Sequence, residues 1–154
     1  MGVEIEHKYL VKEGQWSPYT QGTLIRQGYL CTHPDRTVRV RIAGEKGYVT
    51  IKGTTHGDSR AEFEYEIPLV DASQMLDTLC EKPLIEKTRY TEIHHDRYWE
   101  IDVFHGDNEG LIMAEIELTE SQDYYQVPSW CNLNVTTDFR YANSSLQKNP
   151  FRNW

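Results

Sequence analysis

The sequence predicts a mainly β fold with two helices (α+β), its strands antiparallel and closing into a barrel of about eight strands. Three observations predict it. Apolar and polar residues alternate with period two along most of the chain. The alternating runs are separated by short stretches rich in Gly, Asp and Asn, which tolerate turn dihedrals. The charges on the polar side of the runs are sorted by sign from one strand to the next, which an ordinary wet sheet face does not require.

Taken in order, the runs predict strands at Val3–Val11, Thr23–Thr32, Arg36–Ala43, Tyr48–Gly53, Arg60–Leu69, Leu84–Ile93, Arg97–Phe104 and Leu111–Thr119. Gly44-Glu45-Lys46-Gly47 and the stretch from His105 to Gly110 read as hairpin turns. Asp71 is placed to cap a helix reaching about Cys80, with Met75, Leu76 and Leu79 on one face. Asp138 is placed to cap a second helix reaching about Gln147, short enough to dock on or into a barrel end. Between them, Tyr124 to Trp130 reads as an irregular aromatic segment. No repeat, linker or low-complexity tract interrupts the chain, and its 154 residues suit one domain spanning 1–154.

The formal net charge is −8, with no acidic tail. That balance favours divalent cations and disfavours nonspecific nucleic-acid binding. Met1 to Lys12 is charged at every second or third position and has no apolar signal region, and no run is long enough for a membrane helix. The three cysteines, Cys31, Cys80 and Cys131, have neither zinc spacing nor an even count. They are expected to be idle thiols in a reducing compartment, so the expected location is the cytoplasm. Without a signal peptide, Asn134-Val135-Thr136 and Asn143-Ser144-Ser145 carry no meaning as glycosylation sites. The six histidines show no metal spacing, and His94 and His95, adjacent near a strand end, point to opposite faces.

Residues two apart on a strand share a face. Glu4, Glu6 and Lys8 thus oppose Val3, Ile5, Tyr9 and Val11. Arg39 and Arg41 oppose Val38, Val40 and Ile42, and Lys52 opposes Val49 and Ile51. Glu62, Glu64 and Glu66 oppose Phe63, Tyr65 and Ile67. Lys87 and Arg89 share a face, as do Glu100 with Asp102 and Glu115 with Glu117. For any one strand, a solvated face with cross-strand ion pairs explains this. For all of them together, like charges two residues apart call for something of opposite sign between them. Carboxylate clusters suit hard divalent cations, and Arg or Lys clusters suit phosphate oxygens. Closure of the strands would bring both sets into one lumen, with the apolar face outward under the helices and the aromatic segment.

These residues resemble a known family. Glu4-Ile5-Glu6-His7-Lys8 fits the ExExK signature of the CYTH superfamily, the triphosphate tunnel metalloenzymes. In the same order follow Arg39-Val40-Arg41, Lys52-Gly53, Arg60-Ala61-Glu62-Phe63-Glu64, Ile85-Glu86-Lys87-Thr88-Arg89-Tyr90, Trp99-Glu100-Ile101-Asp102-Val103-Phe104 and Gly110 to Leu118. Val135-Thr136, Arg140-Tyr141 and Asn143 resemble its short bacterial branch, from which Asn132 and Asn134 depart.

The resemblance implies a closed eight-stranded antiparallel triphosphate tunnel with flanking helices and a C-terminal helix. It implies Mg²⁺ or Mn²⁺ as cofactor and a small-molecule triphosphate as partner, and it leaves a homodimer open. Carried over, Glu4, Glu6, Glu62, Glu64, Asp102, Glu115 and Glu117 would be the metal-side carboxylates. Lys8, Arg39, Arg41, Lys52, Lys87 and Arg89 would hold phosphates. Glu115 and Glu117 would help activate water, and Lys8 would neutralise charge on the transferred group. Tyr29, on the face of Gln27, is open between barrel packing and a tunnel phenol that tunes which bond breaks. Arg140 is open between a surface cation and a gate. Glu66 is expected at the rim or facing solvent, and Glu100 is open as a cap on the tunnel mouth.

The expected activity is hydrolysis of tripolyphosphate to pyrophosphate and phosphate. The alternatives are a nucleoside or thiamine triphosphatase, a class IV adenylate cyclase, a module that binds polyphosphate or metal-nucleotide without turnover, and a plain structural barrel.

Overall fold

A computed structural model describes residues 2–154; Met1, the first residue of the charged N-terminal stretch, lies outside them. The strands are β1 (Val3–Val11), β2 (Thr23–Cys31), β3 (Arg36–Ala43), β4 (Lys46–Gly53), β5 (Ser59–Ile67), β6 (Ile85–His94), β7 (Arg97–Phe104), β8 (Ile112–Glu117) and β9 (Cys131–Asn134). The hydrogen-bonded order is β5-β4-β3-β2-β6-β7-β8-β1-β9, and β5 also pairs with β1. That last pairing closes β1 to β8 into an eight-stranded antiparallel barrel, with β9 left outside it.

Turn chemistry sets the hairpins. β3 and β4 are joined by Gly44-Glu45, with Ala43 paired to Lys46 and Gly44 at φ 60°. A glycine at the first central position is what a tight two-residue hairpin needs. β6 and β7 are joined by His95-Asp96, both left-handed at φ 52° and 64°. This pair of positive dihedrals matches the right-handed twist of the strands, at a cost that asparagine or glycine would avoid.

The apolar outer face is covered in two places. The helix α1 (Leu69–Thr78) lies on β3 and β4, where Ala72, Leu76 and Cys80 pack with Val40. Gly47 permits this close approach, because a Cβ there would meet that of Ala72 at 2.7 Å. On the other side, Trp99, Ile101, Ala114, Ile116 and Tyr9 pack beneath Trp130, Cys131, Tyr125 and Trp16. Glu92 pins the segment bearing Trp16. Its buried carboxylate accepts from Trp16 Nε1 at 3.1 Å and the Tyr19 amide at 2.9 Å, and pairs with His94 at 2.9 Å.

The ends of the chain depart from expectation. The cap position of α1 is Pro68 and Asp71 lies in its first turn, so Asp71 does not cap it. Leu79 is exposed; the buried face is Ala72 and Leu76, one helical turn apart, continued by Cys80 just past the helix end. Asp138 caps a short 3₁₀ turn, Phe139–Tyr141, by accepting from the Arg140 amide, and not the second helix. That helix, α2, is Asn143–Lys148. The strand β9 was not expected, since its two asparagines have little β propensity. It pairs with β1 at Tyr9 and Val11. Asn134 accepts from the Thr136 amide at 3.0 Å, and Thr136 Oγ1 accepts from the Lys8 amide at 3.0 Å. The departing asparagine thus fastens the C-terminal segment to β1. No helix among the described residues is long and apolar enough to cross a membrane.

Candidate active site

Register decides which side chains meet inside. Glu6 stands opposite Glu117 and Lys8 opposite Glu115 on the β1–β8 ladder. Glu4 stands opposite Arg60, Lys52 opposite Glu62, and Arg39 opposite Thr50. Arg89 stands opposite Asp102 and Glu100 opposite Glu115. Directly paired residues share a face, and the face they share is the lumen. It holds a cavity of about 220 Å³ walled by Glu4, Glu6, Lys8, Tyr29, Thr37, Arg39, Arg41, Lys52, Arg60, Glu62, Glu64, Lys87, Arg89, Glu100, Glu115 and Glu117, with Ala142, Asn143 and Ser144 from the C-terminal segment.

One end of the barrel is filled with apolar side chains. There Tyr29, Ile85, Phe104 and Met113 pack with Val135, Tyr141 and Leu146. The inner face is therefore not charged throughout, and the short C-terminal helix sits over that end, as its amphipathic pattern suggests. Tyr29 belongs to both settings: it is a buried packing residue that also walls the cavity.

The charges sort into three local groups. Lys52 Nζ meets Glu4 at 3.0 Å and Glu62 at 3.5 Å. Arg39 and Arg41 reach Glu64 at 3.3 and 3.4 Å, and Glu64 also accepts from Thr50 Oγ1 at 2.6 Å. Arg89 grips Asp102 with two bonds of 2.8 and 2.9 Å and touches Glu100 at 3.2 Å, while Lys87 reaches Asp102 at 2.8 Å. Lys8 has only a loose contact with Glu6, at 3.7 Å.

Several of these groups are incompletely balanced by their ion-pair partners. Burial, then the charge of Glu115, pushes the Glu6 carboxyl up to about 8. Burial also raises Glu4 and Glu100. On the cation side, burial and the neighbouring Arg39 and Arg89 lower Arg41 to about 10, and burial lowers Lys87 to about 8. The Nε atoms of Arg39 and Arg41 are buried with no hydrogen-bond partner among the described residues. The lumen thus holds carboxylates short of a cation beside cations short of an anion.

Asp102, expected on the metal side, is turned elsewhere. It is buried, both its oxygens are taken by Arg89 and Lys87, and it does not wall the cavity. Despite its own burial, those two cations hold its carboxyl well below the usual range. Glu100 walls the cavity and Glu66 does not, in keeping with the rim or solvent-facing position expected for Glu66. Arg140 is a surface cation paired with Asp138 at 2.7 Å and stacked on Tyr141 and Trp154, and it is not among the residues that wall the cavity.

Sequence reasoning passed over Arg60, Thr37, Asn143 and Ser144 as lining residues. Arg60 was legible, since it alternates in phase with Glu62 and Glu64. The others are short polar residues whose lining role depends on closure.

Among the described residues, no three His, Cys, Asp or Glu side chains form a ready-made metal cage. A small hard cation does not need one, because it takes one or two carboxylates and completes its shell with water and phosphate oxygens. The opposed Glu6 and Glu117, with Glu115 beside them, supply such a partial set.

Comparison with known proteins agrees with this geometry. The chain is 48% identical over all 154 residues to an inorganic triphosphatase of Acetivibrio thermocellus, covering 99% of that protein. Among solved structures it is similar to the inorganic triphosphatase NE1496, with TM-score 0.68, 29% identity, and coverage of 96% of this chain and 95% of that one. A putative adenylate cyclase of Bacillus halodurans shares the fold at TM-score 0.64 and 14% identity, with 79% and 84% of the two chains covered. A CYTH domain is matched over residues 2–132, and on that match together with the full-length relative, the chain belongs to the CYTH family.

Proposed function

We propose that the protein hydrolyses inorganic triphosphate to pyrophosphate and phosphate inside the barrel, using a divalent cation, Mg²⁺ or Mn²⁺. The whole chain would act as one domain in the cytoplasm, with the small-molecule triphosphate as its partner. The observation that carries this reading is the double deficit of the lumen: Glu6 has a loose ion pair with Lys8 and is short of a cation, while Arg41 and Lys87 each share one carboxylate, Glu64 or Asp102, with a neighbouring guanidinium and are short of an anion. A triphosphate that arrives with its metal supplies both. The inorganic triphosphatases among its relatives support the choice of substrate.

The residues divide the work as follows. Arg39 and Arg41, which wall the cavity, offer guanidinium N–H groups to phosphate oxygens. Lys52, Lys87 and Arg89 hold the rest of the chain, with Arg89 oriented by its two bonds to Asp102. Glu6, Glu115 and Glu117 would hold the cation on one wall, and Glu4, Glu62 and Glu64 face it from the β1–β5 side. Asp102 serves that arrangement by anchoring cations. When bound, the cation supplies charge neutralisation at phosphate oxygens.

Phosphoryl transfer depends on such positioning more than on covalent chemistry. Water attacks the terminal phosphorus, forming one P–O bond as the bridging P–O bond breaks. Glu117, whose carboxylate walls the cavity and makes no ion pair among the described residues, takes the water proton, with Glu115 beside it. Lys8, whose ammonium is favoured by Glu115 and Glu6 in spite of burial, offsets charge on the transferred group. Tyr29 borders the filled end and bears on which bond faces the water.

The test is release of phosphate from tripolyphosphate, ATP and thiamine triphosphate, each with Mg²⁺, Mn²⁺ or chelator. Fast metal-dependent release from tripolyphosphate, with little from the other two, is expected. Preference for an organic triphosphate would reassign the substrate. No turnover, with tripolyphosphate still raising the melting temperature, would make the barrel a binding module.

A further inference from the structure

We propose that Asn143 is a positioning residue for Lys87, fixing the direction in which that ammonium meets phosphate; this rests on the triphosphatase reading above. The side-chain oxygen of Asn143 accepts from Lys87 Nζ at 3.0 Å and from Gln27 Nε2 at 3.0 Å. Asn143 begins α2 and walls the cavity together with Ala142 and Ser144. It lies beyond the residues 2–132 that carry the CYTH match.

An ammonium has three N–H donors and no acceptor. Asn143 Oδ1 takes one, and Asp102 Oδ2 lies against the ammonium as an ion pair at 2.8 Å. Lys87 also helps to wall the cavity. A fixed hydrogen-bond acceptor beside the ion pair sets the direction in which the remaining donors point, whereas the ion pair with Asp102 alone would let the ammonium swing. Gln27 is wholly buried, and its donation to the same oxygen holds the Asn143 amide in one orientation. The seat of the segment is separate from this contact. Leu146, three residues on and fully buried, packs in the apolar cluster with Ile85 and Phe104. A change at position 143 therefore removes an acceptor while the anchor of α2 stays.

The test is a double-mutant cycle on kcat/KM for tripolyphosphate, with Asn143→Ala, Lys87→Ala and the pair. Asn143→Ala alone is expected to lower kcat/KM by about ten- to a hundredfold, as for a lost hydrogen bond to a charged group. In the Lys87→Ala background it is expected to cost less than about twofold, since residues that act through one another are not additive. Asn143→Asp, which keeps an acceptor oxygen, is expected to recover most of the loss. Leu146→Ala, which loosens the seat without touching Lys87, is expected to lower the melting temperature and leave kcat/KM within about threefold. If Asn143→Ala does not fold, Asn143→Leu, closer in volume, takes its place.

An equal cost of the Asn143 change in both backgrounds would overturn the proposal. So would a loss in Leu146→Ala as large as that in Asn143→Ala. If the unaltered protein releases no phosphate from tripolyphosphate, the functional reading fails on its own. The cycle is then read as the rise in melting temperature that tripolyphosphate produces, with non-additivity still expected and additivity overturning the role of Asn143.

Discussion

Glu6 and Glu117 stand directly opposite each other on β1 and β8, two carboxylates in register on the inner wall of the barrel. Like charges so placed repel unless a cation or a proton lies between them. Burial and then the charge of Glu115 push the Glu6 carboxyl up to about 8 from an ordinary 4.5, so in the absence of a metal a proton is held on this wall.

The sign of the pH dependence follows. The folded protein binds a proton at Glu6 that the unfolded chain releases, so this group's contribution to stability falls as pH rises from about 4.5 to about 8. A cation competes with that proton, so its binding tightens over the same range and levels off above pH 8. Chelated protein is expected to gain more in melting temperature from Mg²⁺ at pH 8.5 than at pH 6.5, and Glu6→Gln to abolish the difference. An equal gain at both pH values would separate Glu6 from the cation.

Lys8→Ala, Arg41→Ala and Glu117→Gln are each expected to cost about 10²–10³-fold in turnover of tripolyphosphate, the scale of a lost electrostatic stabiliser. Arg41→Lys is expected to recover little, because an ammonium cannot grip phosphate in the fork geometry of a guanidinium. Steady-state rates of the four variants check this, and near-normal rates in the first three would remove these residues from the site.

Glu92 is expected to govern acid stability on the outer wall. Burial raises its carboxyl, but the bonds from His94, the Tyr19 amide and Trp16 outweigh burial and hold it below its ordinary 4.5. Its contribution is therefore complete above that value and is lost as pH falls through the lower, folded value. Melting curves of Glu92→Gln should lie below those of the unaltered protein at pH 7 and converge with them as pH falls below the ordinary 4.5. Parallel curves across that range would contradict the latch.

The thiols should be reactive in proportion to their exposure. Cys131 is buried and pushed up to about 12 by desolvation, and burial raises Cys80 as well. Only Cys31, half-buried at the end of β2, is expected to react with a thiol reagent at pH 8 in the native protein, and all three on unfolding. Peptide mapping after labelling distinguishes them. Native labelling of Cys131 would show that the aromatic cover over β1 opens.

Alternation made the strands legible. The bounds of β1, β3 and β7 follow from it directly, and the inner faces of Glu4, Glu6 and Lys8, of Arg39 and Arg41, and of Glu115 and Glu117 follow from period two alone. What alternation cannot give is the partner across the barrel. Asp102 has the same parity as Glu100, yet it anchors Arg89 and Lys87 because the β6–β7 register sets Arg89 opposite it. The C-terminal segment was legible only as a short amphipathic stretch near Asp138. Its split into a 3₁₀ turn and α2 depends on the contacts of Tyr141 and Leu146 inside the barrel end, which are tertiary. β9 escaped because four residues, two of them asparagine, carry too little pattern to compete with a loop.

The most direct test of the account is to incubate the purified protein with tripolyphosphate and Mg²⁺, with and without chelator, and to resolve the products by ion chromatography. The account predicts pyrophosphate and orthophosphate in equal amounts, both stopping on chelation. Turnover that survives chelation, or none from tripolyphosphate under any condition, would contradict it.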